Sequence, residues 1–170
     1  MKSENHPPTH RESTLRRRIK RLTWLLIIGL VLSGATAIPL PAEVNVLVHW
    51  TGANGGSEWA RWLLRVQDAL AQTQAQYPFL FYGTDWLAFG HFVIATAFIG
   101  ALRDPLRNRW LFDFGLMACV LVIPYALVFG SLRDIPFWWR LIDCSFGVLG
   151  FIPLWFCRQW TGELERSFKR

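Results

Sequence analysis

The stretch RRRIKRLTWLLIIGLVLSGATAIPL, residues 16–40, joins a basic run to an apolar run and decides the class of fold. From Leu22 to Leu40 it contains no Asp, Glu, Lys or Arg. Nineteen helical residues at 1.5 Å each extend about 28 Å, close to the roughly 30 Å hydrocarbon core of a bilayer. The stretch therefore predicts a membrane-spanning helix over residues 22–40.

Three more apolar stretches follow, over residues 86–102, 110–129 and 138–157, and each carries between none and two charged residues. As helices they are about 25–30 Å long, enough to span a bilayer with little tilt. No segment alternates polar and apolar residues over about ten positions, as a strand of a membrane barrel does. The sequence predicts an all-α membrane protein, a bundle of four transmembrane helices.

Composition agrees with this prediction. Only 18% of the residues are charged and 52% are hydrophobic, whereas a soluble domain carries about 25% charge. The alternative is a soluble protein with unusually hydrophobic helices, and four charge-poor runs of spanning length argue against it. Tryptophan, which prefers the headgroup zone, stands at or near the ends of the runs, as Trp24, Trp86, Trp110, Trp138, Trp139 and Trp155.

The positions of the basic residues predict the orientation. The net charge of +6 would also suit a nucleic-acid partner, but the Lys and Arg residues flank the spans, so we expect a lipid bilayer and no nucleic acid. Fourteen of the 18 would lie on one side, which predicts that both ends and the 103–109 loop are cytoplasmic. These fourteen are Lys2, Arg11, Arg16, Arg17, Arg18, Lys20, Arg21, Arg103, Arg107, Arg109, Arg158, Arg166, Lys169 and Arg170.

The predicted organisation has three parts. Residues 1–21 form a basic cytoplasmic tail without periodicity, which we expect to be disordered or frayed. Residues 22–157 form the transmembrane domain, and residues 158–170 form a second cytoplasmic tail. An alternative stays open, because Ala35-Thr36-Ala37 near the end of the first apolar run could be a signal-peptide cleavage site, which would leave three spans.

The loop between the first two spans, residues 41–85, is predicted to lie outside. Val44–Trp50 alternates weakly between apolar and polar residues, and Thr51–Ser57 contains turn residues. Residues 58–76 have helical periodicity, which predicts an amphipathic helix that either lies on the outer membrane surface or folds back over the bundle. Its apolar stripe consists of Trp59, Leu63, Val66 and Leu70.

Four polar residues in or beside the spans form the candidate site: Asp85, His91, Arg140 and Asp143. All four are predicted near the outer leaflet, with His91 about 9 Å deeper than Asp85. Ionisable groups inside a membrane are rare and are often functional, and an acid, an imidazole and an arginine together can bind a lipid phosphate or relay a proton. The alternative is structural, with Arg140 and Asp143 neutralising each other and His91 packing against a neighbouring helix.

Other features indicate packing. Asp113 follows Arg109 by one helical turn, so these two are predicted to pair. Small residues four apart favour close helix contact, within the chain or in a homo-oligomer or with another membrane protein. Such residues are Gly29, Ser33 and Ala37 in the first span and Thr96 and Gly100 in the second. Gly147 and Gly150, three apart in the fourth span, are predicted to act in the same way.

We expect no cofactor and no metal. The three cysteines, Cys119, Cys144 and Cys157, lie in apolar runs without the spacing of a zinc site or a redox pair. His91 is the one histidine within a predicted span, and a bis-histidine haem would need His49 from the outer loop.

Two motifs carry a family resemblance, Tyr82-Gly-Thr-Asp-Trp-Leu-Ala-Phe and Trp139-Arg-Leu-Ile-Asp-Cys-Ser-Phe-Gly. With them the chain resembles small bacterial inner-membrane proteins that have no assigned activity. More distantly it resembles VanZ-like proteins, which implies a cell-envelope role and marks Asp85, His91, Arg140, Asp143 and Gly150. Gly147 stands where that family tends to have Asn, and the third span lacks the acidic residue expected at its outer end.

Three functions are compatible with these features. The first is a non-enzymatic envelope or accessory protein whose outer loop docks a partner. The second is an enzyme or lipid-handling protein that uses the Asp85, His91, Arg140 and Asp143 cluster. The third is an oligomeric transporter or channel, since four spans are few for a pore in one chain.

Overall fold

The computed structural model describes residues 10–168, and its regular structure there is entirely helical. Four of its helices are long and apolar enough to cross a membrane, which confirms the predicted all-α fold with four transmembrane helices. These four are α1 (His10–Ala37), α4 (Tyr82–Arg103), α5 (Arg109–Leu132) and α6 (Phe137–Ser167). Two shorter helices, α2 (Leu40–Thr51) and α3 (Glu58–Gln76), and a 3-10 turn (Pro78–Phe81) lie between α1 and α4.

The chain divides into two compact units. The terminal unit consists of the described residues up to Ile28 together with those from Thr96 onward, so it holds the first part of α1, the last part of α4, and all of α5 and α6. The hairpin unit is Gly29–Ala95 and holds the end of α1, α2, α3 and the start of α4.

In the terminal unit α5 and α6 pack antiparallel, and glycines let them approach closely. A Cβ atom on Gly147 would lie 2.6 Å from the carbonyl oxygen of Cys119, and one on Gly115 would lie 2.9 Å from Leu154. A Cβ on Gly150 would lie 3.1 Å from the Cys119 sulfur. The prediction of close packing at Gly147 and Gly150 is confirmed, because the partner helix occupies the space that a side chain needs.

The start of α1 corrects the predicted disordered tail. Residues 10–21 are helical and continuous with the span, while residues 1–9 lie outside the described part of the chain. The reason is a stripe of buried residues at every fourth position, Leu15, Ile19, Thr23 and Ile27, which begins inside the basic segment. The Cys157 thiol of α6 lies 3.8 Å from the Ile19 carbonyl oxygen, so this stripe packs against α6.

The end of α6 is likewise helical and packed within the segment that is predicted as the second cytoplasmic tail. The helix continues from the span to Ser167, and Thr161 and Leu164 are completely buried. The sequence analysis did not predict these buried positions, because charged residues dominate the composition of this segment. The charged residues lie on the other faces of the helix.

A tight turn joins α4 to α5 within the terminal unit. The Asp104 carboxylate accepts hydrogen bonds from the Leu106 and Arg107 amides, both at 3.1 Å. The Asn108 side-chain amide donates to the Gly100 carbonyl oxygen at 3.0 Å, and a Cβ on Gly100 would meet that same side chain at 3.3 Å. Gly100 therefore makes room for the turn rather than for another helix, which differs from the prediction.

In the hairpin unit the close approach of α1 to α4 occurs at Gly34, which the sequence analysis did not select. A Cβ there would lie 3.0 Å from the Ala88 carbonyl oxygen and 2.9 Å from the Phe92 ring. A Cβ on Gly29 would have no atom of another residue within 4 Å. The helix face decides this difference, because residues five apart point in different directions.

The loop that is predicted to lie outside, residues 41–85, is mostly helical. The amphipathic helix is confirmed with its predicted bounds as α3, and the Ser57 hydroxyl caps it by accepting the Ala60 amide at 3.1 Å. The weakly alternating segment from Val44 to Trp50 belongs to α2, a helix that the alternation did not predict. It ends at Gly52, whose φ of 58° is the left-handed conformation that glycine adopts without strain.

Candidate functional site

Arg140 and Asp143 lie on the first turns of α6, in the terminal unit. The chain reaches α6 through a short turn in which the Ile135 amide donates to the Gly130 carbonyl oxygen at 2.9 Å. Asp134 in this turn has a φ of 54°, a left-handed conformation that Asp adopts more readily than most residues. The turn brings the first turns of α6 beside the last turns of α5.

Arg140 is half-buried and extends across α5. Its Nη1 donates to the Leu127 carbonyl oxygen at 3.3 Å, and its guanidinium carbon lies 5.4 Å from the centre of the Phe137 ring. A Cβ on Gly130 would lie 2.5 Å from the Arg140 Cδ, so this glycine leaves the space that the side chain fills. The Arg140 Nε is buried and has no hydrogen-bond partner. The guanidinium is thus held in place with part of its donor capacity unused.

Asp143 does not pair with Arg140, which corrects the predicted neutralisation. Among residues 10–168, Asp143 takes part in no hydrogen bond or ion pair. A helical side chain leans toward the N-terminus of its helix, and Arg140 accordingly reaches back to Phe137 and across to α5. Asp143 lies one turn in the opposite direction and is left as a half-buried carboxylate.

Asp85 and His91 lie on α4 in the hairpin unit. Asp85 is exposed in the first turn of α4, where a carboxylate interacts favourably with the helix dipole. It borders a shallow depression of about 230 Å³ with Tyr82, Trp86 and Phe89. This environment suits a structural role at the start of the helix as well as a chemical one.

The His91 ring bonds to its own helix. Its Nδ1 lies 2.8 Å from the Leu87 carbonyl oxygen one turn earlier, and because a carbonyl oxygen only accepts, Nδ1 is the donor of this bond. A Cβ on Gly34 of α1 would lie 3.0 Å from the His91 Cβ, so the histidine stands where these two helices meet.

The four predicted residues are thus divided between the two units, two in each. Asp85 and His91 belong to the hairpin unit, and Arg140 and Asp143 belong to the terminal unit. Their association into one cluster stays a prediction.

Three ion pairs join helix ends in the terminal unit. Arg109 bonds to Glu165 at 2.6 Å, Arg158 to Asp113 at 2.5 Å and Arg11 to Glu163 at 3.1 Å. Asp113 is therefore paired as predicted, but with Arg158 of α6 rather than with Arg109. The only indication of the other two pairs in the sequence was the presence of Glu163 and Glu165 within a basic segment.

Cation–π contacts also join the start of α1 to the end of α6. The Arg18 guanidinium lies 5.7 Å from the Trp160 ring, and that of Arg16 lies 5.7 Å from the Phe168 ring. Each such contact contributes about 0.5–1 kcal/mol at an exposed site. The basic start of α1 is thus attached to α6 by side chains as well as by the buried stripe.

Within residues 10–168 no three His, Cys, Asp or Glu side chains converge as a metal site would require. Cys119, Cys144 and Cys157 are free thiols.

Comparison of the chain with protein-family models, curated proteins and solved structures found no match.

Proposed function

We propose that this chain is a non-enzymatic, multi-pass accessory protein of a bacterial inner membrane, with both ends in the cytoplasm, which docks an envelope partner through α3. The basic residues that flank the spans support this orientation. The ion pairs among the start of α1, the start of α5 and the end of α6 support placing both ends on the same side. The bacterial membrane follows from the family resemblance alone.

The observation that carries the proposal is that the segment between α1 and α4 is folded. Neighbouring helices of a bundle need about 2–8 connecting residues. Here α2 has 12 residues and α3 has 19, and the Gln67 side chain of α3 donates to the Asn45 side chain of α2 at 2.8 Å. A folded connection of this size presents a defined surface, which a simple link between spans does not require.

The surface that α3 presents is polar. Ala60 and Leu63 are buried on one side, and the opposite side carries the exposed residues Glu58, Arg61, Arg65, Asp68, Gln72 and Gln76. The Gln72 side chain donates to Asp68 at 2.7 Å, which orients part of this surface. A surface with charges of both signs favours a protein partner whose charges are complementary. Such charges discriminate against other proteins and fix how the two surfaces align.

Site-specific photo-crosslinking in cells tests the docking role. A benzophenone amino acid at Arg65 or at Gln72 should give a discrete protein adduct. The matched control is the same probe at Leu149, an exposed apolar residue of the α6 span, which should react mainly with lipid. Equal or absent protein adducts at all three positions would contradict the proposal.

A second candidate function, lipid-headgroup handling, is favoured by Arg140. Its buried Nε lacks a partner and Asp143 does not neutralise it. A guanidinium with unused donors near the membrane surface suits the phosphate of a phospholipid, which it can contact through two hydrogen bonds.

Bound phospholipid in the purified protein tests this candidate. Arg140→Gln should lower the phosphorus content that remains after detergent purification, and Arg140→Lys should retain part of it. Arg133→Gln, in the exposed turn before α6, serves as control. The same phosphorus content in all variants would eliminate a phosphate site at Arg140.

A further inference from the structure

We propose that α2 lies in the headgroup region of the outer leaflet with one face against lipid. In this arrangement α2, rather than α3, anchors the hairpin unit to the membrane surface. This inference rests on the proposed orientation, but it concerns a different surface from the docking face of α3 and does not depend on docking. Four features of the hairpin unit support it.

The first feature is the apolar stripe of α3. That stripe was the reason to expect α3 on the membrane surface, but Leu63 is only 1% exposed and Ala60 is also buried. The two helices pack against each other, and Val44 of α2 is buried too. A face that already covers another helix is no longer available to lipid.

The second feature is the outer face of α2. On the side opposite Val44 it presents Ala42, Val46, His49 and Trp50, of which Val46 is 53% and Trp50 is 83% exposed. A shallow groove of about 450 Å³ runs along this side, lined by Pro39, Ala42, Glu43, Val46, Leu47 and Trp50. Glu43 is the one charged residue of the helix, so water is a poor solvent for this face.

The third feature is continuity with the lipid-facing surface. Only Ile38 and Pro39 separate α1 from α2, and Ile38 is exposed. The three steps from Ala37 to Leu40 cannot carry the start of α2 more than roughly 11 Å from the end of a spanning helix. The start of α2 therefore lies close to the membrane level at which α1 ends.

The fourth feature lies at the other end of the hairpin. The segment between α3 and α4 exposes Tyr77, Phe79 and Leu80, and Phe79 is 70% exposed. Tyr82, the first residue of α4, is also exposed. Aromatic rings concentrate at the level of the headgroups, where Trp50 also fits. The two faces of the helix pair then meet different solvents, with the outer face of α2 toward lipid and the polar face of α3 toward water.

Electron paramagnetic resonance of the full chain in vesicles tests this arrangement. A nitroxide is coupled to p-acetylphenylalanine at Val46 or Trp50 of α2, and at Arg65 or Gln72 of α3 as matched controls. This chemistry leaves the three native cysteines unchanged. The vesicles contain phosphatidylethanolamine and phosphatidylglycerol in large excess over protein, and each variant must keep the thermal unfolding of the unlabelled chain.

The expected result is a ratio of oxygen to nickel-chelate accessibility that is several-fold higher at Val46 and Trp50 than at Arg65 and Gln72. Similar ratios on both helices, or the higher ratio on α3, would overturn the proposal. Spin–spin broadening at Val46 that persists on dilution in lipid would assign this face to a second copy, and would also overturn it. The crosslinking at α3 measures a separate property, so either proposal can fail alone.

Discussion

Arg140 extends across α5 toward the Leu127 carbonyl oxygen, although its spacing from Asp143 along α6 also permits an intrahelical pair. Sequence spacing identifies which residues can meet, and the space beside Gly130 decides which of them do. The same holds for Asp113, whose partner is Arg158 of the neighbouring helix. At the scale of single residues, the identity of polar residues in the spans was predictable and their partners were not.

The Asp113–Arg158 pair gives a prediction about stability. Asp113→Asn removes the carboxylate and leaves Arg158 without its counter-ion at the end of the span. Because the Asp113 side chain is 51% exposed, the expected loss is modest, about 1 kcal/mol. Unfolding of the protein in detergent measures it. Asp134→Asn, in an exposed turn, is the control and should leave stability unchanged, since Asn also adopts a left-handed backbone.

Gly147 gives a second prediction. Gly147→Ala forces a methyl group against the Cys119 carbonyl oxygen at 2.6 Å, and backbone cannot move aside as a side chain can. Overpacking of this kind should cost about 1–3 kcal/mol of unfolding free energy. Gly90→Ala is the matched control, because a Cβ there has open space and alanine favours the helix. Equal midpoints for the two variants in thermal unfolding would show that α5 and α6 do not meet at Gly147.

At the scale of elements, the spans were predictable and their lengths were not. Hydropathy marks only the part of a helix that lies in hydrocarbon, whereas α1 and α6 continue beyond it with 28 and 31 residues. Their extensions are held by buried residues that alternate with charges, such as Ile19 in α1 and Leu164 in α6. Hydropathy does not detect a short buried stripe of this kind in a segment with strongly basic composition.

The extension of α6 gives a prediction at this scale. Leu164→Ala removes a completely buried side chain from a segment that was expected to be a tail, and should cost about 2–4 kcal/mol of unfolding free energy. Gln159→Ala, at an exposed position of the same helix, should change stability by less than about 0.5 kcal/mol. Thermal unfolding in one detergent compares them, and a neutral Leu164→Ala would restore the interpretation of residues 158–170 as a tail.

At the scale of the whole molecule, the orientation in the membrane can be tested with fusions. Alkaline phosphatase joined after residue 56 or after residue 134 should be active, because those points are predicted to lie outside. The same enzyme joined after residue 107 or at the C-terminus should be inactive. The physical reason is the excess of Lys and Arg near the predicted cytoplasmic ends, which resist translocation.

A fluorescent protein on the N-terminus completes this test, since its chromophore matures in the cytoplasm. Bright membrane fluorescence is expected, and loss of the tag from the membrane fraction would instead favour cleavage after the first apolar run. Phosphatase activity at the C-terminus would contradict an even number of crossings.

The sequence by itself determined that four helices are apolar enough to cross a membrane and that α3 is amphipathic. Both properties are local, since length, hydropathy and periodicity can be summed along one segment without knowledge of its neighbours. Only the tertiary structure decided that Gly34 rather than Gly29 meets another helix, and that Arg158 rather than Arg109 binds Asp113. These outcomes depend on which faces of two helices meet, and that choice is made by packing between segments distant in the chain.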